Sequence, residues 1–196
     1  MNNIVTFVKN LTNIIKIRTM TKKHDIIWLE MVDSTNRYAR EHIDMLDNLS
    51  VVAAVIQTEG RGQGDHRWHS EPGQNLLFSI VLKNPSVPAS EQVKISDITA
   101  RSVISLLEAH GIEAWIKPPN DIWVDKKKIC GILIEHSLIG SRISHTIIGV
   151  GLNVNQTVFP EDLPNPTSMA IENKGGNIID LLSEYMEIFI SHASQL

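Results

Sequence analysis

The stretch VVAAVIQTEGRGQGDHRW, residues 51–68, joins two unlike halves, an apolar run and a polar, glycine-rich one. Residues 51–56 are all apolar and four of them are β-branched, which reads as a strand with both faces covered. The run ends at Gln57 and passes into Gly60, Gly62 and Gly64, three of only 11 glycines in 196 residues. A second strand pattern, NLLFSIVLK over 75–83, follows. The glycine segment therefore links two neighbouring strands.

Outward from this pair, the pattern alternates between periods. Residues 26–30 favour a strand, and Asp33, Ser34 and Thr35 offer capping side chains to a helix through TNRYAREHIDML. On the other side, Val93, Ile98, Val103, Leu106 and Leu107 form one helical stripe that stops at Gly111. IEAWIK reads as a strand and PPND as a tight corner. IWVDKKKICGILIEHS reads as two strands joined by a charged turn at 125–127, and HTIIGVGLNVN as a strand ending in a loop. Residues 156–176 hold Pro160, Pro164 and Pro166 and read as loop, and IIDLLSEYMEIFISH closes the chain with a helical period. At the start, Ile4, Phe7, Val8, Leu11, Ile14 and Ile15 recur at helical spacing and predict a short amphipathic helix. Met20 is a natural alternative start. The order of elements implies an α+β domain with a mixed, mostly antiparallel sheet and flanking helices.

Composition narrows the class. With 42% hydrophobic and 20% charged residues the chain is globular, and a net charge of −4 gives no overall attraction for nucleic acid. The single cysteine, Cys130, forms no intrachain disulfide, and no Cys/His cluster has zinc-finger spacing, which fits a reducing cytoplasm. Lys9, Lys16 and Arg18 interrupt the apolar N-terminal run, so neither a signal peptide nor a membrane span is expected.

Several segments carry groups suited to chemistry. Alternating glycines permit positive φ and close approach of backbone to ligand, and Arg61, His66 and Arg67 add charge beside them. The spacing is neither that of a P-loop nor that of the dinucleotide fingerprint. Asp33, Ser34, Thr35 and Asn36 place short donors and acceptors at a strand end. Pro118 and Pro119 fix a corner ahead of Asn120 and Asp121. Lys126 and Lys127 suit a solvated turn, whereas Lys128 enters a strand that holds its stem against the sheet. Asn153 and Asn155 end a buried strand with amides able to read a base edge. Each segment alone also reads as structural: a flexible turn, a helix cap, a polar corner, a charged turn or a bulge.

Together and in order, DSTN (33–36), QTEGRGQGDHRW (57–68), PGQNLLFS (72–79), KPPNDIWV (117–124), KKICGILIE (127–135) and GVGLNVN (149–155) resemble the biotin protein ligases. Their catalytic domain is related to class II aminoacyl-tRNA synthetases and lipoate ligases. The resemblance implies ATP and Mg²⁺, activation of biotin as biotinyl-5′-adenylate, and transfer to a lysine of a biotin carboxyl carrier protein of acetyl-CoA carboxylase or a related carboxylase. It implies biotin contacts from Ser34, Thr35, Asn36, Gln57, Gly60, Arg61, Gly62, Gln63 and Lys128. It implies adenylate contacts from Gly62, Gln63, His66, Trp68, Asn120 and Asn153, with Lys128, Arg61 and Asp121 as catalytic groups. The expected domain runs over 24–196 behind an extension over 1–23, with no DNA-binding domain and no C-terminal β-barrel. Family members can dimerise through sheet edges, so a homodimer is open to it.

Two departures stand out. Family loops commonly read GRGxxGxxW, whereas Gly64 and Asp65 alter that order here, and Gln63 and His66 stand where some members carry arginine. Pro118 replaces a usual tryptophan, a gap that Trp115 or Trp123 is placed to fill. A lipoate or octanoate ligase, and a non-catalytic module that binds biotin or a carrier domain, remain the alternatives.

Overall fold

The computed structural model describes residues 5–10, 14–21 and 24–195, and side chains from Asp25 to Ser194. Nine strands form one sheet in the order β1-β2-β3-β4-β5-β9-β8-β7-β6. They are β1 (Val5–Asn10), β2 (Ile14–Thr21), β3 (His24–Val32), β4 (Val51–Gln57), β5 (Leu76–Lys83), β6 (Trp115–Lys117), β7 (Asp121–Val124), β8 (Lys127–Ile139) and β9 (Arg142–Leu152). Every pair is antiparallel except β3 with β4, which the short helix α1 (Thr35–Glu41) connects. The mixed, mostly antiparallel sheet with flanking helices is the expected class.

The unbroken apolar run of β4 has a direct cause. Val51 and Ala53 face a layer made by α2 (Val93–Ala109) and α3 (Ile178–His192), while Val52 and Ala54 face α1 together with Ile27, Leu29, Ala39, Val81 and Ile147. Period-two alternation between two covered faces leaves no position for a polar side chain. Helix α2 ends at Gly111, whose φ of +72° only glycine adopts without strain. Asn177 caps α3 by accepting from the N–H groups of Ile179 and Asp180, at 2.9 and 3.3 Å. No helix among the described residues is long and apolar enough to cross a membrane.

The N-terminal segment departs from expectation. Where the helix is expected, the described residues form strands β1 and β2, paired antiparallel, and β2 pairs with β3 through Ile17 and Trp28; Ile4 and Leu11 of the predicted stripe lie outside the described residues. The same residues, rich in isoleucine, valine and threonine, satisfy a period of two once a partner strand is present.

Tyr185 of α3 fills the centre of the larger core, edge-on to Phe78 at 5.0 Å and stacked on Phe189 at 6.0 Å. Its hydroxyl is buried without a hydrogen-bond partner among the described residues, and burial raises its pKa well above the usual tyrosine value. Removing an unpaired buried hydroxyl while keeping the ring relieves its desolvation. Tyr185→Phe is expected to raise stability by about 1 kcal/mol, read from urea unfolding. A loss of stability would show that the hydroxyl has a partner.

Candidate active site

The α1 side of the sheet carries a cavity of about 260 Å³, just below the usual range of small-molecule sites. Missing side chains create it. Gly131 of β8 pairs with Gly151 of β9, and Gly149 pairs with Leu133 on one side and Ser79 on the other. A Cβ on Gly149 would run into the Asn36 amide, and a Cβ on Gly131 or Gly151 would run into the Trp68 indole. The row of glycines lets a side chain from α1 and one from the loop after β4 sink onto the sheet.

At one end the cavity is neutral and densely hydrogen-bonded. Ser34 begins α1 but makes no side-chain cap bond, contrary to the capping role expected from sequence. Gln57 serves instead: its Oε1 accepts from the Thr35 N–H at 2.7 Å and from the Thr35 hydroxyl at 3.1 Å. This arrangement leaves the Ser34 hydroxyl and the Gln57 NH₂ without protein partners among the described residues, and both residues line the cavity. Ser79 Oγ donates to Asn36 Oδ1 at 2.6 Å and stands 2.8 Å from Thr35 Oγ1. Asn36 Nδ2 donates to Leu133 O at 3.2 Å and to Glu135 Oε2 at 2.8 Å. The amide of Asn36 is thereby committed to the protein itself.

At the other end the cavity is charged. Lys128 Nζ lies 2.7 Å from Asp121 Oδ1 and 5.5 Å from the centroid of the Trp68 ring, within cation–π range. A bulge sets this geometry. Trp123 pairs with Lys128 while Ile122 pairs with Cys130, so Ile129 is an extra residue on β8. Ile129 and Cys130 both enter the core, and Lys128 returns to the face that carries Gly131 and Asp121. Burial pushes the Cys130 thiol well above its usual pKa, which leaves it a packing group. Asn120 Nδ2 donates to Ile132 O at 2.6 Å and the Ile132 N–H donates to Asn120 O at 3.0 Å, fixing the corner before Asp121.

The glycine segment folds over this cavity as a small hairpin. The Trp68 N–H donates to Gly60 O at 3.0 Å, the Gly62 N–H donates to His66 O at 2.8 Å, and Arg61 bridges Arg67. Only Gly64 of the three glycines takes a positive φ, +63°. Gly60 is required by close approach instead, since a Cβ there would run into the Trp68 carbonyl, while a Cβ on Gly62 would only press tightly on His66. The Gly62 N–H is used within the hairpin, which removes it from the set of anion donors that alternating glycines suggest.

Of the residues singled out from sequence, Ser34, Thr35, Asn36, Gln57, Arg61, Gly62, Gln63, His66, Trp68, Asn120, Asp121 and Lys128 all line the cavity. Gly60 and Asn153 do not. Gly60 lies buried under Trp68 at the base of the hairpin. Asn153 follows β9, donates through Nδ2 to Thr167 O at 2.9 Å, and has an Oδ1 that is buried without a partner among the described residues. Trp115 and Trp123 pack on each other at 6.2 Å and line no part of the cavity, so neither takes the place left by Pro118. Sequence reading missed Ser79 and Glu135. Each is the last residue of a quoted motif, and its partners are visible only once β5, β8 and α1 lie side by side.

A glycine hairpin thus lies over a cavity with one neutral and one charged end. The chain matches the Biotin/lipoate A/B protein ligase family over residues 28–153 and belongs to it. It is 34% identical over 168 residues to the bifunctional ligase/repressor BirA of Bacillus subtilis, covering 84% of this chain and 51% of that protein. It is 30% identical over 132 residues to the acetyl-CoA-carboxylase biotin ligase of Paracoccus denitrificans, covering 64% and 53%. The biotin protein ligase from Aquifex aeolicus in complex with biotin and ATP superposes with a TM-score of 0.73 at 27% identity, covering 87% of this chain and 70% of that one. The chain thus spans about half the length of the curated relatives it matches.

Contact between Gly151 and Trp68 gives a direct check. Gly151→Ala is expected to displace the indole, shift tryptophan emission and cost about 1–3 kcal/mol in chemical unfolding, the usual penalty of overpacking. Unchanged emission and stability would mean that the indole does not rest on the strand.

Proposed function

We propose that this chain is an ATP-dependent biotin protein ligase. The observation that carries the reading is the polarity of one cavity, with the unpartnered Ser34 hydroxyl and Gln57 NH₂ at one end and Lys128 and Asp121 at the other. Biotin has the matching asymmetry of a neutral ureido ring at one end and a carboxylate at the other. In this reading Ser34, Thr35 and Gln57 hold the ring, with Asn36 as their support, and Gly62, Gln63 and His66 of the hairpin cover the ligand.

The first step joins a carboxylate oxygen of biotin to the α-phosphorus of ATP and breaks the bond to the β-phosphate, releasing pyrophosphate. Two anions must meet, and fixed cations lower that barrier most effectively in a water-poor site. Lys128 is placed for this by the bulge at Ile129 and by Asp121. In the second step a lysine amine of the carrier attacks the acyl carbon, the C–N bond forms, AMP leaves and the amine gives up a proton. Asn120 and Asp121 stand at the cavity edge to orient the phosphate or that amine. Trp68 walls the adenylate end. In this reading Asn153 keeps Nδ2 on Thr167 and offers its unpartnered Oδ1 to the adenine amine. Closure of the hairpin keeps water from the mixed anhydride.

Mg²⁺ fits this site as a companion of the phosphates. No group of three or more His, Cys, Asp or Glu among the described residues is arranged to hold a metal, and Asp121 is the carboxylate that lines the cavity. One or two carboxylates plus phosphate oxygens are what Mg²⁺ usually takes, and it supplies charge neutralisation there. The acceptor in this reading is the biotin carboxyl carrier protein of acetyl-CoA carboxylase or a related carboxylase.

Biotin- and ATP-dependent pyrophosphate release, followed by transfer to a carrier domain, tests the reading. Lys128→Ala is expected to lower the first step about 100- to 1,000-fold while leaving biotin binding measurable. Equal rates in the two proteins would remove Lys128 from the mechanism. Among the hairpin residues lining the cavity, Gln63 and His66 supply no permanent charge. Gln63→Arg is therefore expected to slow escape of the adenylate about ten-fold, as one charge-assisted hydrogen bond would. An unchanged escape rate would show that position 63 does not reach the phosphate.

A further inference from the structure

Behind the cavity a line of hydrogen bonds ends on the arginine of the hairpin. Glu135 of β8 sits at its head, opposite Ile147 of β9 and on the α1 face. Its Oε2 accepts from Asn36 Nδ2 at 2.8 Å, and its Oε1 accepts from Arg40 at 2.8 Å and from Arg61 at 3.1 Å. From Asn36 the line continues through Ser79 and Thr35 to Gln57. Gln57 and Arg61 flank the start of the hairpin, so the line closes a ring around its base. Arg61 lines the cavity and Glu135 does not.

We propose that Glu135 is a positioning residue, which holds the Arg61 guanidinium in place for the phosphate of an acyl-adenylate; the inference rests on the ligase reading above. Two groups of α1, Asn36 and Arg40, fix the carboxylate, so it is a rigid anchor rather than a second mobile charge. Arg61 has a long stem with many rotamers, and holding it before the ligand arrives removes that ordering from the binding step. NH1 is its one nitrogen with a partner among the described residues. Nε and NH2 remain available, so Arg61 can keep Glu135 and still give two donors to an oxyanion. Side chains 37% and 25% exposed form a pair that orients far more than it stabilises.

The experiment compares binding of synthetic biotinyl-5′-adenylate and of biotin alone to the full chain and to Glu135→Gln, Arg61→Ala and the double variant. Glutamine keeps the shape of the anchor, but must turn its NH₂ toward either Asn36 or the arginines. Glu135→Gln is expected to speed adenylate dissociation about ten-fold, as loss of one charged hydrogen bond would, while biotin affinity stays within about two-fold. On the Arg61→Ala background it is expected to add nothing. An unchanged or slower dissociation, a parallel loss of biotin affinity, or a full extra effect without Arg61 would each overturn the proposal. Failure of the unaltered chain to bind either ligand would overturn the ligase reading, and this inference with it.

Discussion

Absence of side chains at Gly131, Gly149 and Gly151 is the constraint on which the site depends. Glycine weakens a strand interior through lost packing and greater unfolded-state freedom. Here the three positions lie on β8 and β9, each paired on both sides near the middle of the sheet, so ladder hydrogen bonds offset that weakness. Asn36 and Trp68 then rest directly on backbone. One brings the hydrogen-bonding line of α1 to the sheet, and the other brings the hairpin down over it.

A second irregularity gives the site its charge. In a regular antiparallel ladder, Lys128 and Gly131, three residues apart, would lie on opposite faces. The extra residue at Ile129 sends two consecutive side chains into the core and turns the lysine back onto the glycine face, 2.7 Å from Asp121. The backbone there is secured from outside the sheet. The Lys128 N–H donates to Asn165 O at 2.8 Å, and the Thr167 N–H donates to Lys128 O at 2.9 Å. The proline-containing segment read from sequence as loop is thus a clamp on the strand that carries the cation.

What the sequence makes legible follows the range of each signal. The apolar run of β4, the stripe of α2 and the corner at 118–121 are local patterns, and each element forms where its pattern lies. The motif residues converge because the sheet order brings β4, β8 and β9 around α1. Less legible are features that depend on a partner. Residues 5–10 and 14–15 fit a helical period and a strand period alike, and pairing with β3 through β2 decides between them. The glycines of the hairpin look alike in sequence, yet Gly64 serves conformation while Gly60 serves close approach. Ser79 and Glu135 show no pattern of their own, because their partners come from segments more than forty residues away.

Charge balance around the cavity explains how such a site can be stable before a ligand enters. Lys128 is held by Asp121, and Arg61 by Glu135. An unpaired cation brought partly out of water would lose hydration without compensation, whereas a paired one keeps a fixed acceptor and a fixed direction. Each cation spends only part of its donor capacity on its carboxylate: Arg61 uses one nitrogen, and Lys128 has three N–H groups. A ligand anion can therefore enter by sharing these cations, with no ion pair broken first. The neutral end follows the same logic. Gln57 spends its oxygen on Thr35 and keeps its NH₂, so both ends present donors that the protein has already oriented.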